Sequence, residues 1–269
     1  MKNKPQRRGS NFRLGRAWRR RVGSFVPLLG AVFASSSLYA GVLQDDFTDG
    51  GGRTLGKAKV DDGILKLVDL ADVVGAAGGL PLQGSYVYED IDGGQAVASF
   101  TAKFKARIGG GTERPAQGFS FVFAEDIATR TSPFREAGGG SQGLVVSFDT
   151  VNNIIVPGVS SVAEGNPLDE APGIIVYFLG TRVASKKMNV RTGDNFVDVE
   201  VSIRPNGTLD LKYGAEQVFS GEGIGYVPIA GNFGFGAGTE EVTSANRDNH
   251  WIDDLDIVTT VASGVRVAT

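Results

Sequence analysis

No cysteine occurs anywhere in the 269 residues. That excludes disulfides, a thiol nucleophile, a Cys-based zinc site and lipid attachment to an N-terminal Cys. Such a chain is held together by its core alone. Histidine is nearly as scarce, since His250 is the only one. A lone imidazole set in a strand motif is read as a packed or hydrogen-bonded group, which leaves a Ser-His-acid triad without its base. Long apolar runs are also missing. Val22–Phe33 is about a dozen residues long, against the roughly 20 that a membrane-spanning helix needs.

That short run belongs to an address label. Lys2, Lys4, Arg7, Arg8, Arg13, Arg16, Arg19, Arg20 and Arg21 precede it, and the small-residue stretch Ala34–Ala40 follows it. Basic, then apolar, then small is the order of a secretory signal, with the expected cut between Ala40 and Gly41. The sequence thus predicts a signal peptide over 1–40, one domain over 41–258 and a tail over 259–269. It predicts export to the periplasm, the cell surface or the medium by a bacterial type of route, with no membrane insertion after cleavage. Nine of the 27 basic residues and none of the 30 acidic ones lie in the signal, leaving 18 against 30, a net of −12. So acidic a surface repels phosphate backbones and argues against a nucleic-acid partner.

Past residue 40 the pattern is that of strands. Phe100, Ala102, Phe104, Ala106 and Ile108 alternate with Thr101, Lys103, Lys105 and Arg107, which makes one dry face and one wet. Val197, Val199, Val201 and Ile203 repeat the alternation. Pro205-Asn206-Gly207 then turns the chain into Leu209, Leu211 and Tyr213, a β-hairpin. Further strands are expected over Val42–Phe47, Ile64–Val68, Ser85–Ile91, Phe119–Glu125, Leu144–Thr150, Ile174–Leu179, Arg182–Ser185, Asn232–Ala237 and Trp251–Val258. With 39 glycines, many of them between strands, and no amphipathic helix after residue 40, the fold class is all-β, a sandwich or barrel.

Three segments carry a resemblance. Pro115-Ala116-Gln117-Gly118-Phe119-Ser120-Phe121-Val122-Phe123 resembles the Ala-Asp-Gly plus aromatic strand of L-type lectins. Val146-Ser147-Phe148-Asp149-Thr150-Val151-Asn152-Asn153 resembles their metal-site segment. Phe233-Gly234-Phe235-Gly236-Ala237-Gly238-Thr239, with Asn249-His250-Trp251-Ile252-Asp253-Asp254, is similar to their last two strands. The order is also the family's. Asp45-Asp46-Phe47 and Gly173–Ala184 are similar to bacterial concanavalin A-like and laminin-G-like jelly rolls.

The resemblance implies an antiparallel jelly-roll β-sandwich of the concanavalin A-like kind, with ligand held by loops at the edge of a front sheet. It implies glycan contacts from Gln117, Gly118, Asn153 and Thr239. It also implies a calcium ion on Asp149, the Val151 carbonyl, Asn153 and Asp169 or Glu170. These are hard oxygen donors suited to that ion. Asp149 and Asn153 equally suit a turn made through local side-chain to backbone bonds, and both readings stand. Two departures from the pattern matter. Ser147 replaces the Glu of a second, transition-metal site, so no such site is expected. Gln117 replaces the Asp that accepts from sugar hydroxyls, and an amide cannot accept on both branches.

Catalysis finds little support. The Glu-x-Asp-x-x-Glu pair of sandwich glucanases is missing, and glycoside hydrolysis needs two carboxylates across the bond. Asp198 and Glu200 share a face but lie on an ordinary amphipathic strand. Gly139-Gly140-Ser141-Gln142-Gly143 fits Gly-x-Ser-x-Gly but lacks the strand before it and the helix after it. Neither Trp251 nor Tyr86, Tyr88, Tyr177, Tyr213 or Tyr226 forms an obvious sugar-stacking platform. The sequence therefore predicts an exported, non-catalytic binding module for glycan. The alternatives are a structural or adhesive module contacting an extracellular or envelope protein and, third, a sandwich-type glycoside hydrolase.

Overall fold

A computed structural model describes residues 39–73, 82–111, 117–136, 138–151, 172–239 and 248–266, without the side chains of 39–40 and 264–266. The strands are, in chain order, β1 (Tyr39–Asp45), β2 (Gly52–Gly56), β3 (Lys59–Asp61), β4 (Ile64–Val68) and β5 (Gln83–Tyr88). Next come β6 (Gln95–Gly109), β7 (Gly118–Ala124), β8 (Gly143–Asp149), β9 (Gly173–Phe178) and β10 (Thr181–Lys187). The last are β11 (Val197–Ile203), β12 (Thr208–Tyr213), β13 (Glu216–Gly223), β14 (Asn232–Gly238) and β15 (Asn249–Arg266). They form two antiparallel sheets. One is eight-stranded, in the order β13-β12-β11-β6-β15-β4-β3, with β1 also on β15. The other is seven-stranded, in the order β10-β9-β8-β7-β14-β5-β2.

The alternation in β6 and β11 sets the register between them. Phe104 lies opposite Val199 and Ala102 opposite Val201, so their apolar faces coincide. A one-residue slip would turn the whole apolar set to water. The expected hairpin joins β11 to β12. Arg204 N–H bonds the Thr208 carbonyl at 2.9 Å, and Gly207 takes the positive φ of 78° that the turn demands.

Between the sheets lies an aromatic core. Phe100 and Phe104 of β6 reach across to Phe121, Phe233 and Phe235 of the other sheet. Phe119 stacks on Phe148 at 4.5 Å between ring centres, nearly parallel. Each such ring removed from water contributes about 1.5–3 kcal/mol, and the edge and offset geometries add to that. A second, smaller apolar cluster lies on the outer face of the seven-stranded sheet, where Phe134 covers Val87, Val122, Ala124, Ile127 and Val145.

The closing strand is longer than its sequence suggests. It was expected to stop at Val258, with a tail from 259, but β15 continues to Arg266 and pairs Thr259 with Phe100 and Thr260 with Ser99. The reason is polar: Thr259 is buried yet bonded, and the Ser99 and Thr260 hydroxyls bond each other across the ladder. One edge of β15 serves two successive partners, β4 along His250–Ile252 and β1 along Leu255–Thr260.

Candidate functional site

The ladder registers bring the first two lectin-like segments and the Phe233–Thr239 part of the third to one end of the seven-stranded sheet, while Asn249–Asp254 lies on β15 of the other sheet. Gly118 at the start of β7 lies opposite Asp149 at the end of β8 and opposite Gly238 at the end of β14. Gly238 in turn faces Gln83 of β5, and Asp149 faces Gly173 of β9. Glycine is required at position 118. Its φ is +121°, and a Cβ there would meet the Phe148 carbonyl oxygen at 2.0 Å.

Gln117 is 4% exposed and held at both ends. Its carbonyl accepts from the Thr150 amide at 3.1 Å, and its Oε1 accepts from Arg135 Nη1 at 3.1 Å. Arg135 is held in place as well. Gln83, its carboxamide oxygen turned toward the guanidinium, accepts from Nε and Nη2 at 2.6 Å each. The Arg135 stem leans on Gly238, where a Cβ would come within 2.9 Å of Arg135 Cγ. A cation thus stands beside the position where the resemblance places a sugar-binding carboxylate. Sequence reading missed Arg135. Its segment leaves β7, doubles back over the sheet and is pinned by Ser85, whose hydroxyl donates to the Phe134 carbonyl at 2.9 Å and accepts from the Phe134 amide at 2.7 Å. No local pattern announces that path.

Asp149 is 7% exposed, and its Oδ1 accepts from the Val151 amide at 2.9 Å, an Asx turn. Next to it the Thr150 hydroxyl is buried with no partner among the described residues. The donor atoms here are all hard oxygens. Asn153, Asp169 and Glu170 lie outside the described residues. Among the described residues no three His, Cys, Asp or Glu side chains gather as a metal-holding group. Thr239 is 2% exposed and ties the sheet end together. Its amide donates to the Leu82 carbonyl at 2.9 Å, and its hydroxyl accepts from the Leu82 amide at 3.0 Å.

The groups weighed for catalysis fall elsewhere. Asp198 and Glu200 lie opposite Lys105 and Lys103 across the ladder, on the other sheet. Ser141 donates to Asp126 at 2.8 Å in a turn that leads into a strand. His250 is fully buried, and burial pushes its pKa down to about 3, so the imidazole is neutral. Tyr86, Tyr88, Tyr213 and Tyr226 are buried core residues. Trp251 lies between Lys66 and Arg107, whose cationic groups stand 5.0 and 4.3 Å from its ring. Among the described residues no helix is long and apolar enough to cross a membrane.

No protein-family model matches the chain, and neither does any curated protein. Solved structures do. The chain is similar to the VIP36 exoplasmic/lumenal domain in a form bound to Ca2+ and Man3GlcNAc. That match has 16% identity and a TM-score of 0.54, and it covers 80% of this chain and 86% of that one. The Emp47p carbohydrate recognition domain matches at 15% identity and a TM-score of 0.55, over 82% and 95% of the two chains. A lectin UEA-II complexed with galactose matches at 17% identity and a TM-score of 0.56, over 83% and 100%. With two antiparallel sheets in this order, the fold is that of the L-type lectins, a concanavalin A-like jelly-roll sandwich.

Proposed function

We propose that this chain is an exported, non-catalytic module that binds glycan through the loops at one end of the seven-stranded sheet. The observation that carries the reading is the register Asp149–Gly118–Gly238, which brings lectin-like strands β8, β7 and β14 side by side. The lectins of the same fold are carbohydrate-bound or named for carbohydrate recognition. Gln117 and Gly118 form the floor of the proposed site, with Thr239 at its margin; Asn153, the fourth proposed contact, lies outside the described residues. A calcium ion belongs to the proposal, held by Asp149, the Val151 carbonyl, Asn153 and Asp169 or Glu170. The orphaned Thr150 oxygen beside Asp149 supports it, whereas the Asx turn at Asp149 is the local bonding that the turn reading expects. Export rests on the signal-like residues 1–40, and it leaves the module in the periplasm, on the cell surface or in the medium.

A second reading, a surface module that contacts protein, is favoured by one observation: Gln117 spends its acceptor on Arg135. A glycan array probed with the exported chain, once in calcium and once in chelator, separates the two. Calcium-dependent binding to a defined glycan class, lost in Gln117→Ala and Asp149→Ala, is the expected result. A blank array in both conditions, from protein shown to be folded, sinks the glycan reading and leaves the protein-contact module.

A further inference from the structure

Between β5 and β6 a buried carboxylate lacks a counter-charge among the described residues. Asp92 is 3% exposed, and its Oδ2 has no hydrogen-bond partner among the described residues. The loop that carries it is shaped to keep it inside. The Asp92 amide donates to Asp90 Oδ1 at 2.8 Å, and the Gln95 amide and side chain both donate to the Asp92 carbonyl, at 3.3 and 3.0 Å. The other oxygen, Oδ1, accepts from the Thr259 hydroxyl at 2.5 Å. Burial and the neighbouring Asp90 charge both raise the Asp92 pKa, burial being the larger cause, while the Thr259 bond lowers it. A buried ion with neither a counter-charge nor full hydrogen bonding is costly.

What stands next to it is Gly41. The Gly41 nitrogen donates to the same Thr259 oxygen at 3.0 Å. A Cβ on Gly41 would meet the Ile91 carbonyl at 2.7 Å, Ile91 Cγ1 at 2.8 Å and Asp92 Oδ1 at 3.0 Å. Only glycine fits so close to the carboxylate. The pairing of β1 with β15 is irregular at this place, where it steps from Tyr39↔Thr260 to Val42↔Val258. One extra residue on β1 leaves Ala40-Gly41 in a bulge.

We infer that the backbone around Gly41 is the seat of a new N-terminus. Cutting the Ala40–Gly41 bond releases an ammonium whose buried ion pair with Asp92, shared through Thr259, completes the fold. This inference rests on the proposed cleavage between Ala40 and Gly41. Hydrolysis of that peptide bond adds one water and leaves a carboxylate on Ala40 and a protonated amine on Gly41. The amine has three N–H donors where the peptide had one. One can keep the Thr259 oxygen, and the others can supply the orphaned Asp92 Oδ2. Export processing then does more than remove an address label, because it supplies the charge that the Asp92 pocket lacks.

The test begins with the mass of the exported chain. A first residue other than Gly41 overturns the cleavage reading and the latch with it. With Gly41 confirmed, thermal unfolding is compared for residues 41–269, freed from an N-terminal fusion by a site-specific protease, and for uncut residues 37–269. Each is made with Asp92 and with Asp92→Asn. Asp92→Asn should lower Tm by roughly 5 °C in the free-amine chain and by less than about 2 °C in the uncut one. An equal loss in both overturns the latch while leaving the cleavage standing. If Asp92→Asn does not fold, acylation of the Gly41 amine in the unsubstituted 41–269 chain decides. Protection well beyond that of the lysines supports the latch, and labelling as fast as a free peptide amine refutes it.

Discussion

The two sheets differ most on their outer faces. On the eight-stranded sheet the outward residues are charged and paired across the ladder, with Lys103 opposite Glu200 and Lys105 opposite Asp198. On the seven-stranded sheet β7 and β8 are buried on both faces over their whole length. The difference lies in small residues. Ser85, Ser120, Gly236 and Gly238 leave a shallow bed on the outer face. The segment carrying Phe134 and Arg135 lies in it, so closely that a Cβ on Gly236 would meet the Phe134 ring at 2.2 Å. The wet sheet is a scaffold. The covered sheet builds a second core and, at its end, carries a cation into the proposed glycan site.

The sharpest way to break this contrast is to remove the plug. Phe134→Ala should cost about 3–5 kcal/mol, the range for an aromatic ring deleted from a packed core, read by urea or thermal unfolding. It should also weaken any glycan binding, because Arg135 is the next residue on the same segment. A cost below about 1 kcal/mol would mean that the outer face is ordinary surface and the second core an illusion of geometry.

These outer faces explain what could be read in the sequence. The alternation of β6 and β11 is legible because one face is wet, so each residue type reports its side. In β7 it is muted, since Ser120, Val122 and Ala124 are buried as fully as the phenylalanines between them. Edge strands were harder still. The sequence announces none of β2, β3 and β13, because Gly52–Gly56 and Lys59–Asp61 bury little and Glu216–Gly223 buries only two adjacent residues, so none shows an apolar period. The site is legible only in part. Gln117, Asp149 and Gly238 are recognisable as family-like segments, but their adjacency depends on ladder registers that no single segment encodes. Arg135 was illegible because its place depends on a loop crossing a sheet face.

The eight-stranded sheet has a weakness of its own inside. His250 lies on the inward series of β15, and neither ring nitrogen has a partner among the described residues. Its pKa falls from an ordinary value near 6.5 to about 3 because burial disfavours the charged form. The unfolded chain therefore binds a proton between those values while the folded chain does not. Stability is full above pH 6.5 and is lost as pH falls toward 3, by about 2–3 kcal/mol at pH 4.5. Denaturant midpoints measured from pH 7 to 4.5 should show this slope, and His250→Gln should flatten it. A slope unchanged in His250→Gln would assign the acid sensitivity to the carboxylates instead.

The smallest effect is expected on the wet face, where Asp198 and Glu200 form the same-face carboxylate pair nearest to a hydrolytic one. Glu200 Oε2 lies 3.7 Å from Lys212 Nζ, and Lys105 bonds Asp254 at 2.5 Å, so the surface is a mesh of exposed charges. Exposed ion pairs contribute little because water and salt screen them. The double variant Asp198→Asn, Glu200→Gln should change stability by less than about 1 kcal/mol and leave any glycan binding at the proposed site on the far sheet untouched. A loss of binding, or of any sugar-cleaving activity found in the unsubstituted chain, would move the functional site from the covered sheet to the wet one. The contrast between the two faces would then be inverted, because the charges now read as a solvated scaffold would be the working groups.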